Sequence, residues 1–566
     1  MIKVLSTNIT SPLGFTTKEN YQSVKDGSSA LRVYFDWKGV PQQFTASLFS
    51  DNQEKELLID GFTRFESVTI HSIKEAVSHT DIDVRSERTG LIISTTKANV
   101  EELSSAPEND GDYRSPGQSA VKIARAIGFT TDPIVVCNAC ISGVTAQILA
   151  DRLISCGSYD NIVVCGADCQ SPFVVAGFMS FKSLAPHECR PFDIERLGLN
   201  LGEAAATIVF GKVESPEHDK TSWKLVAGSL NNDAYHVSAP SPAGDGTYGV
   251  AKTVLESISQ EELATVSVHG TATMFNDQME SKAIQRAELS EVPVSALKGY
   301  YGHTLGAAGV LETIITMEAT DDGIILPVRG YSEIGVSGKV NISNLCRPTE
   351  KETFIKLISG FGGCNGAVAF SKTPEKVLLP QEPKDIRTLS TVEITPSSLK
   401  IDGEVQEVSS TGKSLLTEIY KAHIADYPKF HKMDVFTKLA FLAADIVAQR
   451  SKDNQDAERA VILFNNSSSI VADRKHIATF EREGEFYPSP SVFLYTLPNI
   501  VTGEISIKHG YKGETSLYIL DEYNEQIIDS VVKSTFSQSS VRTMITGWVD
   551  CKSEDDFEAN IKLVTI

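Results

Sequence analysis

Two runs in the first third of the chain, Thr89 to Thr95 and Asn161 to Cys165, are rich in β-branched apolar residues and read as strands. Between them, Cys140 to Ser155 reads as a helix, with Val144, Ile148 and Leu149 near one face and Gly157 just past its end. The same interleaving of strand and helix continues to about Lys372. Strands separated by helices call for buried parallel or mixed sheets rather than a sandwich, so the pattern sets an α/β fold.

Past Phe370 the composition changes. Residues 373–412 hold Pro374, Pro380, Pro383 and Pro396 among many charges and little periodicity, and read as a linker, although Thr388 to Ile394 has strand character. Asp434 to Ala448 then forms a strongly amphipathic helical pattern, with Phe436, Leu439, Ala440, Ala443 and Val447 on one side. A weak internal repeat organises the remainder. Arg88-Thr-Gly-Leu-Ile-Ile-Ser94 parallels Arg459-Ala-Val-Ile-Leu-Phe-Asn465. Gly128-Phe129 stands twelve residues before Cys140, as Gly510-Tyr511 stands twelve before Glu522. Gly166 follows Cys140 by 26 residues and Gly547 follows Glu522 by 25, so Asp521, Glu522 or Tyr523 takes the cysteine's place. No cysteine lies between Gly510 and Asp550. The division expected is therefore a domain over 1–372, a linker over 373–412 and, over 413–566, a half-copy that has lost its thiol.

Charge narrows the function. A net charge of −21, from 73 acidic and 52 basic residues, is the opposite of what nucleic acid or an anionic membrane attracts, and an acidic protein partner would need a local basic patch. No apolar run is long enough to span a membrane, and the opening apolar run is too short for a signal peptide. Nine scattered cysteines do not form a disulfide framework, and Cys137-Asn-Ala-Cys140 has no second ligand pair nearby, so no metal is expected. The expected location is cytoplasmic.

Four segments carry chemistry. In Val135-Val-Cys-Asn-Ala-Cys140-Ile-Ser-Gly143 an apolar run ends at a thiol where a helix begins. Helix dipoles and free N–H groups there would lower its pKa and hold a carbonyl oxygen as it becomes negative. Cys137, Cys165 and Cys169 read instead as small core residues. In Val266-Ser-Val-His269-Gly-Thr-Ala-Thr273 an apolar strand ends at a histidine, and Asp277 and Glu280 follow as caps for the next helix. In Lys298-Gly-Tyr-Tyr-Gly-His303-Thr-Leu-Gly-Ala-Ala-Gly309 small residues allow close helix packing, with His303 at the entrance and biased toward neutrality. Ser359-Gly-Phe361-Gly-Gly-Cys-Asn-Gly366 reads as a flexible turn whose ring can swing, and it lacks both a phosphate-loop ending and a dinucleotide spacing.

These segments, with Ser11-Pro-Leu-Gly14, Arg190-Pro-Phe-Asp193, Gly202-Glu203 and Asp233-Ala-Tyr-His236, occur in an order that resembles the elongating Cys-His-His β-ketoacyl-[acyl-carrier-protein] synthases of the thiolase-like superfamily. The resemblance covers Met1 to about Lys372. It implies two similar α/β halves forming five layers, αβαβα, normally paired with a second subunit. It implies an acyltransferase that condenses an acyl thioester on Cys140 with malonyl-carrier protein, for fatty acid, polyene or polyketide chains. His269 and His303 would hold the malonyl thioester carbonyl, and Lys298 would set the electrostatics of His269. Glu312, Asp277 and Glu280 would support them. The N–H groups of Cys140 and Phe361 would form the oxyanion hole, with Phe361 as gate.

No tightly bound cofactor is implied, because substrates arrive on the phosphopantetheine of an acyl carrier protein. The tail resembles a chain-length factor, so the chain is expected as a homodimer or as a pseudo-dimer through its own C-terminal domain. A carrier-binding decarboxylase or scaffold that does not condense is the alternative, and the intact Cys140, His269, Lys298 and His303 weigh against it.

Overall fold

The computed structural model describes residues 1–104, 113–213, 219–374, 385–450, 456–480 and 486–566. Its first unit runs β1 (Ile2–Thr10), α1 (Arg64–Ser78), β2 (Thr89–Ser94), α2 (Pro116–Ile127), β3 (Ile134–Val136), α3 (Ser142–Ser155), β4 (Asn161–Asp168) and β5 (Ala204–Lys212). Hydrogen bonding orders the strands β1–β5–β4–β2–β3, with β2 parallel to both neighbours and β5 antiparallel to both. Every residue of β2 is buried, as a strand covered on both faces must be.

The second unit repeats that order. It comprises β6 (Lys224–Asn232), α4 (Asp245–Leu255), β7 (Leu263–Ser267), α5 (Met274–Arg286), β8 (Pro293–Ser295), α6 (Ala308–Asp321), β9 (Thr353–Gly360) and β10 (Cys364–Ser371), in the sequence β6–β10–β9–β7–β8. Helices α3 and α6 are buried almost all round, so each needs a covered position, and they occupy the layer between the two sheets. Helices α1 and α2 cover the outer face of the first sheet, and α4 and α5 that of the second. Five layers result, as expected.

The tail is a third copy. Strands β11 (Arg387–Thr395), β12 (Ala460–Asn465), β13 (Thr515–Ile519), β14 (Thr543–Cys551) and β15 (Phe557–Thr565) order as β11–β15–β14–β12–β13. Among the helices that accompany them are α7 (Val435–Gln449), α8 (Ile500–His509) and α9 (Glu525–Gln538). Asp434 caps α7 through the N–H of Thr437, at the boundary its amphipathic pattern predicts.

Two expectations need correction. The linker over 373–412 does not extend to its end: β11 and the strands Ser398–Ile401 and Glu404–Gln406 belong to the tail sheet. Burial alternates at Ser390, Val392 and Ile394, the period of a half-covered strand, which the prolines and charges obscure. Residues 375–384 of the expected linker lie outside the described residues. The register of the repeat is also settled. Ser94 pairs with Val136, four residues before Cys140, and Asn465 pairs with Ile519, so the cysteine's counterpart is Tyr523 rather than Glu522. Cys165 pairs with Ile93 and Trp548 with Phe464, so Gly547 answers to Val164, not to Gly166. Tyr523 is exposed and lies edge-on to Trp548.

The tail joins the main body through its sheet edge. Strand β13 pairs antiparallel with β3, Tyr518 with Val136 and Ile519 with Val135, so the first sheet continues into the third. Buried ion pairs flank this seam: Arg152 with Glu514 at 2.7 Å and Lys97 with Asp473 at 2.6 Å. Glu514→Ala would strand the Arg152 guanidinium without its counter-charge and should lower unfolding free energy by about 3–5 kcal/mol. Denaturant titration checks this; the double variant Arg152→Met with Glu514→Leu should recover most of the loss.

Candidate active site

Two glycines bring Cys140 and His303 together. A Cβ on Gly309 would lie 2.6 Å from the nitrogen of Val144, and one on Gly143 2.9 Å from that of Val310. Helices α3 and α6 therefore touch backbone to backbone near their N-termini. Cys140, just before α3, and His303, just before α6, consequently meet: His303 Nε2 is 3.0 Å from Cys140 Sγ. His269, at the end of the chain leaving β7, completes the cluster, with its ring edge-on to His303 at 5.0 Å between centroids. The sulfur and one nitrogen of each ring lie within 4.8 Å of one another.

The surrounding backbone is unusual. Ala139 has φ +48°, Ala272 +61° and Leu305 +52°, left-handed values that disfavour side chains and occur beside each of the three groups. Leu305 donates its N–H to His303 Nδ1 at 3.2 Å. The neutral ring therefore carries its proton on Nε2, which faces Cys140. His269 is held by its own peptide groups: its N–H donates to Glu280 at 2.7 Å and its carbonyl accepts from Lys298 Nζ at 2.7 Å. Its Nδ1 is buried with no partner among the described residues.

Asp277 and Glu280 sit inside α5 and do not cap it; Thr273 is the N-cap. Both carboxylates reach back instead, Glu280 to the N–H groups of His269 and Gly270, and Asp277 to those of Ala272 and Phe192. Burial, with Asp277 nearby, pushes Glu280 up to about 7. Lys298 and Glu312 pair at 2.7 Å in full burial. The sequence reading missed the third member, Lys356, whose Nζ bonds Glu312 at 2.5 Å and the Val268 carbonyl at 2.9 Å. A lone lysine amid Phe354-Ile-Lys-Leu-Ile358, a run otherwise fit for a covered strand, was the available signal.

The electrostatics follow. Burial, reinforced by the two ammonium groups that face one carboxylate, holds both histidines well below the usual imidazole range. Each is a neutral hydrogen-bonding ring at physiological pH. The thiol departs from expectation. Burial pushes Cys140 up to about 12, outweighing Lys298 and the N–H groups of Cys140 and Phe361, which favour the thiolate. The helix start therefore moderates the cost of ionisation without producing a resting thiolate. Cys364, beyond the Gly-Phe-Gly-Gly turn, is buried and rests on the Phe361 carbonyl at 3.3 Å, a packing role.

A cavity of about 340 Å³ leads from the exposed side chains of His236 and Phe275 past Thr271 and Thr273 to the buried Cys140, His269 and His303. On the far side of the sulfur, a small apolar pocket of about 20 Å³ is bounded by Val174, Phe178, Phe361, Phe493 and Leu497. The last two belong to the tail. One thiol, two neutral imidazoles and converging N–H groups thus meet at the buried end of a cavity in a fold of three related α/β units.

Comparison places this chain within a family. The families described as "Beta-ketoacyl synthase, N-terminal domain" and "Beta-ketoacyl synthase, C-terminal domain" match residues 8–215 and 224–332, together more than half of the chain. The chain belongs to the β-ketoacyl synthases, condensing enzymes of the thiolase-like fold. It is 25% identical to 3-oxoacyl-[acyl-carrier-protein] synthase 2 of Coxiella burnetii over 66% of this chain and 98% of that protein. It is 30% identical to the tetracenomycin polyketide synthase ketoacyl synthase alpha subunit of Streptomyces glaucescens, over 47% of this chain and 66% of that one. The solved PfaC keto synthase–chain length factor matches 100% of this chain and 78% of its own, with a TM-score of 0.78 at 14% identity. The ketosynthase ApeO from Xenorhabdus doucetiae, solved with its chain length factor ApeC, matches 65% of this chain and 97% of its own, with a TM-score of 0.56 at 24% identity. The whole chain, tail included, thus shares the fold of the keto synthase–chain length factor. Among the described residues no helix is long and apolar enough to cross a membrane.

The high thiol pKa has a direct consequence. Alkylation of Cys140 by iodoacetamide should climb about tenfold per pH unit from about pH 7 to about pH 10, because the thiolate fraction keeps rising below the pKa. Mass spectrometry of the Cys140 peptide reads the rate, and a plateau below about pH 9 would contradict the assignment.

Proposed function

We propose that Cys140 carries the growing acyl chain and that the protein extends it by decarboxylative Claisen condensation with malonyl-carrier protein. The observation that supports this most is the convergence of one sulfur and two neutral imidazoles at the closed end of a channel. A thioester on a phosphopantetheine arm enters past Thr271 and Thr273. The Cys140 sulfur attacks its carbonyl, and the N–H groups of Cys140 and Phe361 hold the oxygen as it becomes negative. The carrier thiol leaves with the proton that Cys140 gives up.

Malonyl-carrier protein then occupies the same channel. Its carbon–carboxylate bond breaks, carbon dioxide departs, and the electron pair moves onto the α-carbon and thioester oxygen. The Nε2–H of His303 and the ring of His269 bind that oxygen. Neutral rings suit this task, since they donate hydrogen bonds without requiring a permanent cation in a buried site. The carbanion attacks the acyl carbonyl on Cys140, the new carbon–carbon bond forms, and sulfur leaves and regains a proton. Lys298, Glu312 and Lys356 act on the rings through their field and through the backbone they hold.

The tail takes the place of a second subunit. Its β13 occupies the edge of β3, and its Phe493 and Leu497 wall the pocket beyond the sulfur. The Phe493 ring presses on Gly177 so closely that a Cβ there would meet it at 2.2 Å. In this reading the main domain spans 1–372, the half-domain begins by Arg387, and the chain is a pseudo-dimer with one reactive cysteine, working with an acyl carrier protein. Chain-length control falls to the wall the tail provides.

Cys140→Ala should abolish condensation while malonyl-carrier decarboxylation persists, measured as β-ketoacyl product against released carbon dioxide; surviving condensation would refute the role of the thiol. Phe493→Ala should shift the acyl groups retained on Cys140 to longer chains in intact-protein mass spectrometry, whereas an unchanged distribution would remove the tail from length control.

A further inference from the structure

The turn that bears Phe361 is held in place from the tail. Strands β9 and β10 join through Gly360-Phe361-Gly362-Gly363, with Gly362 at φ +94° and Gly363 at +72°. Glycines in that region leave a turn free to pivot unless something fixes its peptide planes. Here the peptide linking Phe361 to Gly362 is gripped at both ends. Its carbonyl accepts from Asn499 Nδ2 at 2.8 Å, and its N–H donates to the Val237 carbonyl at 2.7 Å. The next carbonyl, of Gly362, accepts from Asn232 Nδ2 at 2.7 Å, and that amide also reaches Thr515 Oγ1 of the tail at 3.2 Å. Gly503, one helical turn beyond Asn499, backs the next peptide, Gly362 to Gly363: a Cβ there would stand 2.5 Å from the Gly362 oxygen. Asn499 is 1% exposed, so no water can replace its donor cheaply.

We propose that Asn499, contributed by the tail, is a positioning residue for acyl transfer: it fixes the Phe361 peptide so that the preceding N–H stays aimed at the Cys140 thioester. Locking one plane of the turn leaves the Phe361 N–H few directions to take, and preorganised donors are what stabilise a forming oxyanion. The tail then supplies a supporting group to a site whose nucleophile it lacks. This inference rests on the roles of Cys140 and Phe361 under the proposed function.

The test uses the full chain with Asn499→Leu, which keeps the volume and removes the donor, and with Asn499→Asp. Single-turnover acylation of Cys140 from acyl-carrier protein should fall about tenfold or more in Asn499→Leu, with malonyl-carrier decarboxylation falling far less. The carboxyl introduced by Asn499→Asp donates only when protonated, and burial raises its pKa, so its acylation rate should recover from about pH 8 to about pH 6 relative to wild type. Acylation within about twofold of wild type, an equal loss in both reactions, or no recovery at low pH would each overturn the inference. If Asn499→Leu does not fold, the pH response of Asn499→Asp decides alone. Wild-type protein that never loads an acyl group on Cys140 would overturn the functional reading, and the inference with it; normal wild-type loading beside unaffected variants overturns the inference only.

Discussion

The site depends on the backbone contact between two helices that lack side chains where they touch. Gly143 and Gly309 let α3 and α6 approach to a distance that any Cβ would forbid. Because both helices start at the same end of the central layer, the residues just ahead of them share one small volume. Cys140 and His303, 163 positions apart in sequence, are brought into hydrogen-bond contact. The left-handed residues Ala139 and Leu305 are local strain borne by an otherwise close-packed middle layer, in which α3 and α6 are buried almost without interruption.

Electrostatics in this centre work by exclusion of charge rather than by its accumulation. Burial alone disfavours a charged imidazole, and the Lys298–Glu312–Lys356 group, with two cations against one anion, reinforces it. The same burial keeps the thiol protonated at rest. A neutral sulfur beside neutral rings is chemically quiet at rest; under the proposed function it reacts only when a thioester supplies an electrophile. In that reading the N–H groups around Cys140 act on the transition state rather than on the resting enzyme.

The tail answers a problem that the first sheet creates. Strand β3 leads directly to Cys140 and is the edge of the first unit's sheet, whose backbone groups would be unpaired on one side without the tail. In this chain β13 covers that edge, α9 packs beside α3 in the central layer, and the buried pairs Arg152–Glu514 and Lys97–Asp473 fasten the seam. Lys97 lines the apolar pocket beside Cys140, so the fastening and the pocket share a residue. The third unit has Tyr523 where the first has its thiol, yet it keeps the edge strand and helix that the first unit uses.

Sequence alone determined the α/β class and the strand–helix alternation, and it singled out Cys140, His269 and His303, which the structure brings together, because each is written in a local pattern: an apolar run stopped by Cys140, His269 beside a glycine, His303 ahead of a small-residue helix. It also exposed the tail as a repeat. It misjudged the start of the tail sheet, since a half-covered strand among prolines resembles a linker. It placed Asp277 and Glu280 as caps, since spacing does not reveal that a helical carboxylate turns back to the preceding loop. The state of the thiol, the part played by Lys356, the identity of Tyr523 as the cysteine's counterpart and the grip of Asn499 on the Phe361 turn were decided only by tertiary structure. Each depends on burial or on contacts between segments far apart in the chain, and those quantities exist only once the sheets have closed over one another.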